Sequence, residues 1–595
     1  MNTSLVIRFP LAFALFLYCA LSPAHGGAPA GHWIAADEIF FNGKVITVDH
    51  RHKGSHHGHR DHDGDRGHGS QSKGKIVQAF ALKDGHFIAV GSNGEVMRHK
   101  GRSTRVVNLR GRTVIPGLAD GHFHSIGGGP GMDLSKTRSL AELFAVVTQA
   151  AQAATPGQIL VSNSDWHEAQ LAEQRLPLAS ELDTVAPNNP VVLVRGGHSF
   201  ILSNVALKLF NITPATPVPS GGAIPRTPEG QLTGELIDNA RRLVTLPPSP
   251  PQTPEQIRQA LLDTQTTMNS FGVTAVRNAA SNVTAYRRWQ ALRDEGAITL
   301  RNSFLISGVG SEAAVNNFVA TSGVQANEGD DWLRIVGFKY IFDGGFEGGL
   351  MREPYEEPFG LGGTYHGIQV VDTETYYGAL RAAARNGWRV ATHSVGDAAI
   401  DLVLEGYKQA HAAAPFAKND WVIEHAFVAH PDHFPRIREL GLALSVQDHL
   451  FLAAPSLKKM WGEERATRVT PVRTYLNQGF LLVGGTDTPV IPKNPWWAMY
   501  HFITRDTISD GVYGPEERVL NREDVLRIFT LNYAELIREE RTKGSIARGK
   551  LADFVIASGD FLTVPKRELQ NLTALATYVG GKRVYLAAGL QPGDF

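Results

Sequence analysis

Between about residue 113 and residue 540, helical stretches alternate along the chain with short apolar runs rich in β-branched residues. A helical stretch at residues 257–271 precedes the run Val273–Arg277, and another at residues 376–386 precedes the run from Trp388 to His393. Strands that alternate with helices in this way are typical of βα units, whose strands form a parallel sheet. The segment is long enough for eight such units. The sequence therefore predicts an α/β fold with a (β/α)8 TIM-like barrel over residues 114–540.

Both ends of the chain have a different pattern, with short strands and turn dipeptides. Residues 37–48 predict a hairpin that turns at Asn42-Gly43, and Asn93-Gly94 predicts a further turn. Strand patterns return after residue 543 and end in a predicted hairpin over residues 577–585. We predict that the two ends together form one β-sandwich domain beside the barrel. Its N-terminal part would cover residues 31–113 and its C-terminal part residues 541–595.

A low-complexity segment from residue 49 to residue 75 interrupts the N-terminal strands. Seven of the 23 histidines of the chain fall between His50 and His68, among glycine, aspartate, arginine and serine. Such a composition has too few apolar side chains to join a core, so we expect a disordered insertion. Two interpretations remain open for it, a solvated insertion without function and a weak collector of metal ions.

Residues 1–30 resemble an export signal. Arg8 precedes an apolar run from Leu11 to Leu21, and small residues follow, with cleavage sites predicted after Ala24 or Ala30. We therefore expect a secreted or periplasmic protein without stable membrane insertion after cleavage; the alternative is an uncleaved N-terminal anchor. The single cysteine lies at position 19, inside this segment, so the mature chain needs neither a disulfide nor thiol chemistry.

Composition argues against two classes of partner. The 58 basic residues balance the 58 acidic residues, which leaves no electrostatic basis for binding nucleic acid or an anionic membrane surface. A small-molecule substrate is the expected partner, and the sequence leaves open whether the chain forms a homo-oligomer.

His122 and His124 follow an apolar run that leads through Pro116-Gly117. Residues at positions i and i+2 of a strand point to the same face, so the two imidazoles can bind one metal ion together. Taken alone, an HxH pair is more often two surface histidines.

Four further polar groups strengthen the metal hypothesis, because each closes a later strand-like run. These groups are Lys339, His393, His425 and Asp487. Active residues of a (β/α)8 barrel lie at the carboxyl ends of its strands, so we expect the six side chains to meet there. For any one histidine a structural role remains the simpler explanation, and Lys339 has an alternative as an ion-pair partner of Asp343.

This set of motifs resembles the amidohydrolase superfamily, in the amidohydrolase-3 branch that includes N-substituted formamide deformylases. The resemblance covers about residues 35 to 590. Its motifs are Pro-Gly-Leu-Ala-Asp-Gly-His122-Phe-His124, Gly-His198-Ser-Phe, Gly-Phe-Lys339-Tyr, Thr-His393-Ser-Val-Gly-Asp397, Glu-His425-Ala, Gly-Thr-Asp487-Thr-Pro, and Gly-Lys-Leu-Ala-Asp553.

The resemblance implies a site for two divalent ions, which we expect to be zinc. His122, His124 and Asp487 would hold the more buried ion, and His393 and His425 would hold the second. Lys339, carbamylated by CO₂, would bridge the two ions.

The resemblance also implies hydrolysis of a carbon–nitrogen bond other than a peptide bond, in an amide or an N-substituted formamide. A metal-bound water would attack the carbonyl group, and Asp487 would transfer its proton to the leaving amine. His198, after the run from Val191, is a candidate for orienting the substrate or stabilising the oxyanion, or else a structural loop histidine. Trp166, His167 and Asp397 are expected to line the pocket.

Two other functions remain open at this point. One is a mononuclear hydrolase or deaminase of a cyclic substrate, in which Lys339 is not carbamylated. The other, from a different class, is a secreted metal-binding or regulatory protein without catalysis. The intact set of six metal-competent groups favours an enzyme.

Overall fold

The computed structural model describes residues 34–49, 74–248, 251–591 and 593–594. The predicted export signal at residues 1–30, and all but the ends of the predicted insertion at residues 49–75, lie outside these ranges. Among the helices of the described ranges, none combines the length and the apolar character needed to cross a membrane.

The N-terminal part of the chain forms short strands that belong to two sheets. Its elements are β1 (Glu38–Phe41), β2 (Lys44–Ile46), β3 (Ile76–Val77), β4 (Ala79–Lys83), β5 (His86–Gly91), α1 (Asn93–Met97), β6 (Arg105–Asn108) and β7 (Thr113–Pro116). The predicted hairpin at residues 37–48 is wrong, because β1 pairs with β4 and β6 whereas β2 pairs with β3 and β7. The left-handed backbone of Asn42 (φ 58°) turns the chain from one sheet into the other. Phe40 before the turn and Val45 after it then share one core.

The predicted turn at Asn93-Gly94 is also wrong, because these residues begin helix α1. Ser92 caps the helix: its hydroxyl accepts the backbone N–H of Glu95, and the Glu95 carboxylate accepts the backbone N–H of Ser92. This reciprocal pair satisfies two backbone donors that a turn would leave to solvent.

The first barrel strand, β8 (Leu118–Phe123), is followed by an inserted unit that the alternation of helices and strands did not predict. Its elements are α2 (Leu140–Ala153), β9 (Leu160–Val161), α3 (Ala179–Val185), β10 (Val191–Arg195), β11 (Ser199–Leu202), α4 (Asn204–Leu209), β12 (Gly222–Ala223) and β13 (Glu235–Asp238), with 3₁₀ turns at Glu168–Gln170 and Asn239–Leu243. The five strands form their own mixed sheet in the order β12-β13-β11-β10-β9. We call residues 125–248 the insertion unit.

The remaining barrel elements follow the predicted rhythm. They are α5 (Pro254–Ser270), β14 (Val273–Ser281), α6 (Val283–Asp294), β15 (Arg301–Ile306), α7 (Glu312–Thr321), β16 (Leu333–Ile341), α8 (Thr373–Arg385), β17 (Val390–Ser394), α9 (Asp397–Ala413), β18 (Val422–His425), α10 (His433–Glu439), β19 (Ala443–Val446), α11 (His449–Thr467), α12 (Val472–Asn477) and β20 (Leu482–Gly484). In the described part of the chain, β8 and β14 to β20 form one eight-stranded sheet in sequence order, and every pairing in it is parallel.

The barrel closes where its last strand returns to its first. The backbone N–H of Asp487 donates to the carbonyl oxygen of His122 over 2.7 Å. Gly121 permits this approach, because a Cβ atom there would lie 2.4 Å from a methyl group of Val483 and 2.7 Å from the carbonyl oxygen of Gly484. The predicted TIM-like barrel is confirmed, and closure brings Asp487 beside the first-strand histidines.

Three helices follow the last barrel strand: α13 (Pro495–Thr504), α14 (Arg522–Ile528) and α15 (Leu531–Leu536), with a 3₁₀ turn at Pro515–Glu517. The C-terminal strands β21 (Phe554–Ala557), β22 (Ala574–Val579) and β23 (Lys582–Leu586), with a 3₁₀ turn at Lys566–Asn571, then complete the β-sandwich. One sheet has the order β5-β4-β1-β6 and the other β23-β22-β21-β7-β2-β3, so β21 pairs with β7 across the two ends of the chain.

An aromatic cluster of Phe40, Phe80, Phe554 and Tyr578 fills the space between these sheets, with ring centroids 4.4 to 5.5 Å apart in five contacts. The prediction of a sandwich built from both chain ends is confirmed.

Candidate metal centre and its cavity

All six predicted ligand side chains meet at the carboxyl end of the barrel. His122 lies in β8, Lys339 in β16, His393 in β17 and His425 at the end of β18, while His124 and Asp487 follow β8 and β20. The ring centroids of His122 and His425 are 4.7 Å apart, and those of His393 and His425 are 4.6 Å apart. Closing a parallel barrel places these strand ends in one ring, which explains why residues hundreds of positions apart become neighbours.

Asp487 stands closest to the first-strand pair. One carboxylate oxygen, Oδ1, lies 2.9 Å from Nε2 of His124 and 3.4 Å from Nε2 of His122. One donor atom from each of the three residues lies within 4.8 Å of the others, which suits a single metal ion.

Burial keeps three of the candidate imidazoles, those of His122, His393 and His425, uncharged. It lowers the pKa of His122 to about 4, with the Lys339 charge adding to the effect. Burial and the neighbouring histidines also hold the pKa of His393 and His425 well below the usual range. Burial alone would raise the pKa of Asp487, but His122, His124 and His449 outweigh it and hold that pKa well below its usual range. Neutral imidazoles beside an ionised carboxylate are the protonation states that bind metal ions.

Three buried polar side chains orient the ligand rings from behind. Nδ1 of His122 lies 2.6 Å from Oε2 of Glu424, and the other oxygen of Glu424 accepts a 2.6 Å bond from Arg277. Nδ1 of His425 lies 2.7 Å from the side-chain oxygen of Gln447. These bonds leave Nε2 of both rings directed to the cluster, which is the usual arrangement of outer partners in metal sites.

Two candidate ligands have a backbone conformation that residues other than glycine rarely adopt. His425 has φ 70° and Asp487 has φ 52°. A left-handed backbone at a residue other than glycine costs about 1–3 kcal/mol and persists where the surroundings enforce it, often at functional sites. Here it turns both side chains into the cluster at the ends of their strands.

Lys339 is buried among the histidines. Its Nζ lies 3.5 Å from Nε2 of His122, and burial lowers its pKa to about 8 against the opposing charges of Glu424 and Asp487. The alternative of an ion pair with Asp343 is wrong. Asp343 accepts backbone N–H groups of Leu350, Val395 and Gly396 instead, and so shapes the loops behind the lysine.

The motifs did not single out His449, the first residue of α11. Its Nε2 lies 2.8 Å from Oδ2 of Asp487, opposite to the side that His124 contacts. Its Nδ1 is buried and has no partner among the described residues. One signal was present, because Gln447-Asp448-His449 follows the strand-like run that ends at Val446.

His198 lies in the turn between β10 and β11, three residues beyond the end of β10. Its Nδ1 is 2.7 Å from Oδ1 of Asp238, and its ring centroid is 5.3 Å from that of His393. Asp238 has an unusual backbone conformation (φ 48°, ψ −118°), and its second carboxylate oxygen is buried without a partner in the described ranges. The insertion unit thus brings an oriented imidazole to the edge of the ligand cluster.

The cluster forms the floor of a cavity of about 850 Å³. Barrel loops line one side and the insertion unit lines the other. Trp166 and His167 line it as predicted. The prediction for Asp397 is wrong, because its carboxylate turns away to accept the backbone N–H of Arg352 and lies 3.2 Å from His430.

A buried group of charged side chains joins the insertion unit to the barrel. Arg195 donates two bonds to Glu168, of 2.5 and 2.7 Å, and a third of 3.1 Å to Glu347. The hydroxyl oxygen of Ser199 lies 2.9 Å from a carboxylate oxygen of Glu347 and 3.0 Å from one of Glu235, within hydrogen-bond distance of both. Because Glu347 belongs to the loop after β16, this group ties the insertion unit to the barrel beside the cluster.

Comparison with known proteins identifies relatives over nearly the whole chain. A family model described as the amidohydrolase family, of the amidohydrolase-3 type, matches residues 105–585. Protein LONG AFTER FAR-RED 3 of Arabidopsis thaliana is 30% identical over 573 residues, covering 94% of this chain and 92% of that protein. The N-substituted formamide deformylase of Arthrobacter pascens is 27% identical over 541 residues, covering 87% and 96%.

A solved structure has the same fold. An uncharacterised metal-dependent hydrolase from Pyrococcus horikoshii OT3 aligns with a TM-score of 0.62 and 21% identity, covering 89% of this chain and 99% of that one. The family match and the cluster of ligands describe a hydrolase that depends on a divalent metal. The chain belongs to the amidohydrolase family, in its amidohydrolase-3 branch.

Proposed function

We propose that this hydrolase cleaves a carbon–nitrogen bond other than a peptide bond, in an amide or an N-substituted formamide. The observation that carries the proposal is the meeting of six metal-competent side chains at the floor of a cavity of about 850 Å³. A cavity of this volume suits a small molecule. The Arthrobacter pascens relative, at 27% identity, bears the name of an N-substituted formamide deformylase, and this name supports the choice of bond.

The donor set fits two zinc ions. We assign His122, His124 and Asp487 to one ion and His393 and His425 to the other, because imidazole nitrogen and carboxylate oxygen are ligands that zinc accepts. Nε2 of His393 lies 3.1 Å from the carbonyl oxygen of Gly344, so this ring has its Nδ1 available as the donor. Divalent ions at these residues would lower the pKa of a bound water and polarise a carbonyl group.

We propose that Lys339 is carbamylated. In this reaction its neutral amine adds to CO₂, forms an N–C bond, and releases one proton to solvent. The lowered pKa of Lys339 supports the step because more of the amine is uncharged near neutral pH. The product is an anion, and it would bring a bridging carboxylate among histidines that carry no charge of their own.

Asp487 and His198 take the remaining roles. The carboxylate of Asp487, whose Oδ2 lies 2.8 Å from Nε2 of His449, accepts the proton of the attacking water. It then delivers this proton to the nitrogen of the leaving amine. His198, which Asp238 holds by Nδ1, presents Nε2 to the substrate carbonyl oxygen.

The test combines metal analysis with a substrate screen. Purified protein should contain about two divalent ions at the cluster and hydrolyse at least one member of a panel of N-formyl amines, N-acyl amines and cyclic amides. His122→Asn and His124→Asn should lose metal and lower kcat by more than the about 10- to 100-fold typical of outer-shell partners. His86→Asn, an exposed histidine of the β-sandwich, is the matched control.

Near-normal turnover by metal-free His122→Asn would refute the assignment of the cluster. Turnover of cyclic amides alone by protein with one ion would instead favour a mononuclear site without a carbamate.

A further inference from the structure

Two arginines line the insertion side of the cavity and have no acidic partner. Arg241 and Arg242 belong to the 3₁₀ turn Asn239–Leu243 directly after β13. Among the described residues, neither forms an ion pair with a carboxylate. We call Arg241 and Arg242 the arginine pair. Arg195, a third arginine at this cavity, is the contrast, because Glu168 and Glu347 bind three of its nitrogens.

The side chain of Arg241 is held in place without having its charge neutralised. Its Nε donates to the backbone carbonyl oxygen of Asp238 over 3.2 Å, and its guanidinium lies 5.4 Å from the centroid of the Phe200 ring. Neither Nη atom has a hydrogen-bond partner in the described part of the chain. The fork of two N–H groups that matches a carboxylate is therefore free.

The electrostatic balance differs between Arg241, which is half-buried, and Arg195, which is buried. Burial lowers the pKa of Arg241, and the nearby charges of Asp238 and Glu347 only partly oppose this effect. For Arg195 burial acts in the same direction, but the charges of Glu168 and Glu347 outweigh it and raise the pKa. Desolvation thus destabilises the charged guanidinium of Arg241, and an anion bound in the cavity would reduce this cost.

Apolar side chains lie beside the arginine pair on the cavity wall, together with the acidic Asp238 and Glu347. Phe200, Val244 and Leu246 line the same wall, and Val309 and Val371 line the cavity from the barrel side. A charge that faces apolar walls, with the ligand cluster on the cavity floor, suits a molecule with a hydrocarbon body and one anionic end.

We propose that the arginine pair binds a carboxylate carried by the substrate at the end remote from the scissile bond. The substrate class would then be N-acylated amino acids with a hydrocarbon spacer between the amide nitrogen and the carboxylate. This inference rests on the proposed cleavage of an amide or formamide and adds the second recognition element.

Matched substrate pairs test the inference. One series contains N-formyl-ω-aminoalkanoates with spacers from two to six carbons, and the other contains the N-formylalkylamines that lack only the carboxylate. The wild-type enzyme should prefer the acid by at least about tenfold in kcat/KM at one spacer length, mainly through KM, as expected for a charge-assisted contact. Arg241→Gln should remove most of this preference and Arg242→Gln part of it, in each case mainly through a higher KM for the acid.

Two controls separate recognition from folding. Arg567→Gln, at a guanidinium whose side chain is 85% exposed, should keep the wild-type preference. Arg241→Lys keeps the charge without the fork and should retain a reduced preference, and thermal melts should show that each variant folds.

Calorimetry of the products gives a readout that does not need turnover. The released ω-amino acid of the best spacer length should bind metal-loaded wild type at least about tenfold more tightly than the alkylamine, and Arg241→Gln should abolish the difference. Hydrolysis of both series without preference would overturn the inference and leave the proposed function standing. If neither series is hydrolysed, N-formyl amines are excluded as substrates of the proposed function, and equal binding of the two products would then overturn the inference as well.

Discussion

Glu424→Gln is the substitution that most directly tests how the ligand cluster is supported. Glu424 has no solvent exposure and stands between two cationic or polarised groups. It is 2.6 Å from Nδ1 of His122 on one side and accepts a 2.6 Å bond from Arg277 on the other. Glutamine has nearly the same shape and keeps one acceptor oxygen, but it removes the negative charge.

The expected loss has two parts that can be measured separately. His122 loses a carboxylate that orients its ring and increases its basicity, which typically costs about 10- to 100-fold in metal affinity, or about 1.4–2.7 kcal/mol. Arg277, which is 2% exposed, is left with an uncompensated buried charge. Breaking a buried ion pair from one side typically costs about 3–5 kcal/mol of stability, and the retained amide oxygen places our expectation at the lower end.

Metal affinity is measured by competition with a chelator of known affinity, and stability by urea unfolding of the metal-free protein. Glu439→Gln, at an exposed position on α10, provides a control that removes one negative charge outside the cluster. Unchanged metal affinity in a folded Glu424→Gln variant would refute the reasoning, because it would show that His122 needs no outer partner to act as a ligand. A loss of stability without a loss of affinity would reduce Glu424 to a structural partner of Arg277.

Four further outcomes are expected, three from the structure and the last, on export, from the sequence. Lys339→Ala should lose metal and activity, and added acetate or propionate should restore part of both; a bare ammonium on Lys339 in crystals of active, metal-replete enzyme would contradict the carbamate. His449→Gln should lower kcat about 10- to 100-fold with little change in KM, because the hydrogen bond to Oδ2 of Asp487 supports proton transfer, and an unchanged kcat would exclude this role. Asp553→Asn should cost about 3–5 kcal/mol at pH 7, measured by urea unfolding, because it leaves the buried Arg301 charge unpaired. Burial alone would raise the pKa of Asp553, but the charge of Arg301 outweighs this effect and the net pKa is lowered. The ion pair therefore stabilises the fold above the unfolded pKa of about 3.9, and the stability difference between wild type and variant should close as the pH falls below that value. Export should remove residues 1–30 or part of them, and full-length protein found in the cytoplasm by fractionation would reverse that expectation.

The ligand positions could be predicted from sequence because two simple regularities act together. Apolar runs identify barrel strands, and the closure of a parallel barrel places the ends of all strands on one rim. A histidine or lysine that closes such a run is therefore located in space without any knowledge of the intervening loops. Lys339, His393 and His425 all lie within or at the end of their strands for this reason.

The insertion unit could not be predicted in the same way. Its strands β10 and β11 have the same apolar, β-branched composition as barrel strands, and only the pairing partners distinguish the two sheets. His198 was found by its motif, but its orienting partner Asp238 comes from another strand of that sheet. Hydrogen bonds of this kind depend on a register that periodicity does not fix.

Failed turn predictions have local causes that the sequence did contain. Asn93-Gly94 is a strong turn signal in isolation, yet Ser92 and Glu95 around it form a capping box and favour a helix start. At Asn42-Gly43 the turn exists, but the strands on either side of it join different sheets. A dipeptide therefore predicts a change of direction better than it predicts which strands will pair.

The two structural units divide the chemistry between them. Every candidate metal ligand comes from the barrel, whereas the insertion unit contributes His198 and the arginine pair to the cavity. The two sides are fixed to each other by the buried bonds of Arg195 and Ser199 to Glu347, a residue of the loop after β16. That loop also follows Lys339. A shift of the insertion unit relative to the barrel would alter the position of the substrate but would not remove a metal ligand. Substitutions of cavity-lining residues in the insertion unit should therefore change KM and substrate preference at constant metal content. Substitutions at the ends of the barrel strands should change metal content first.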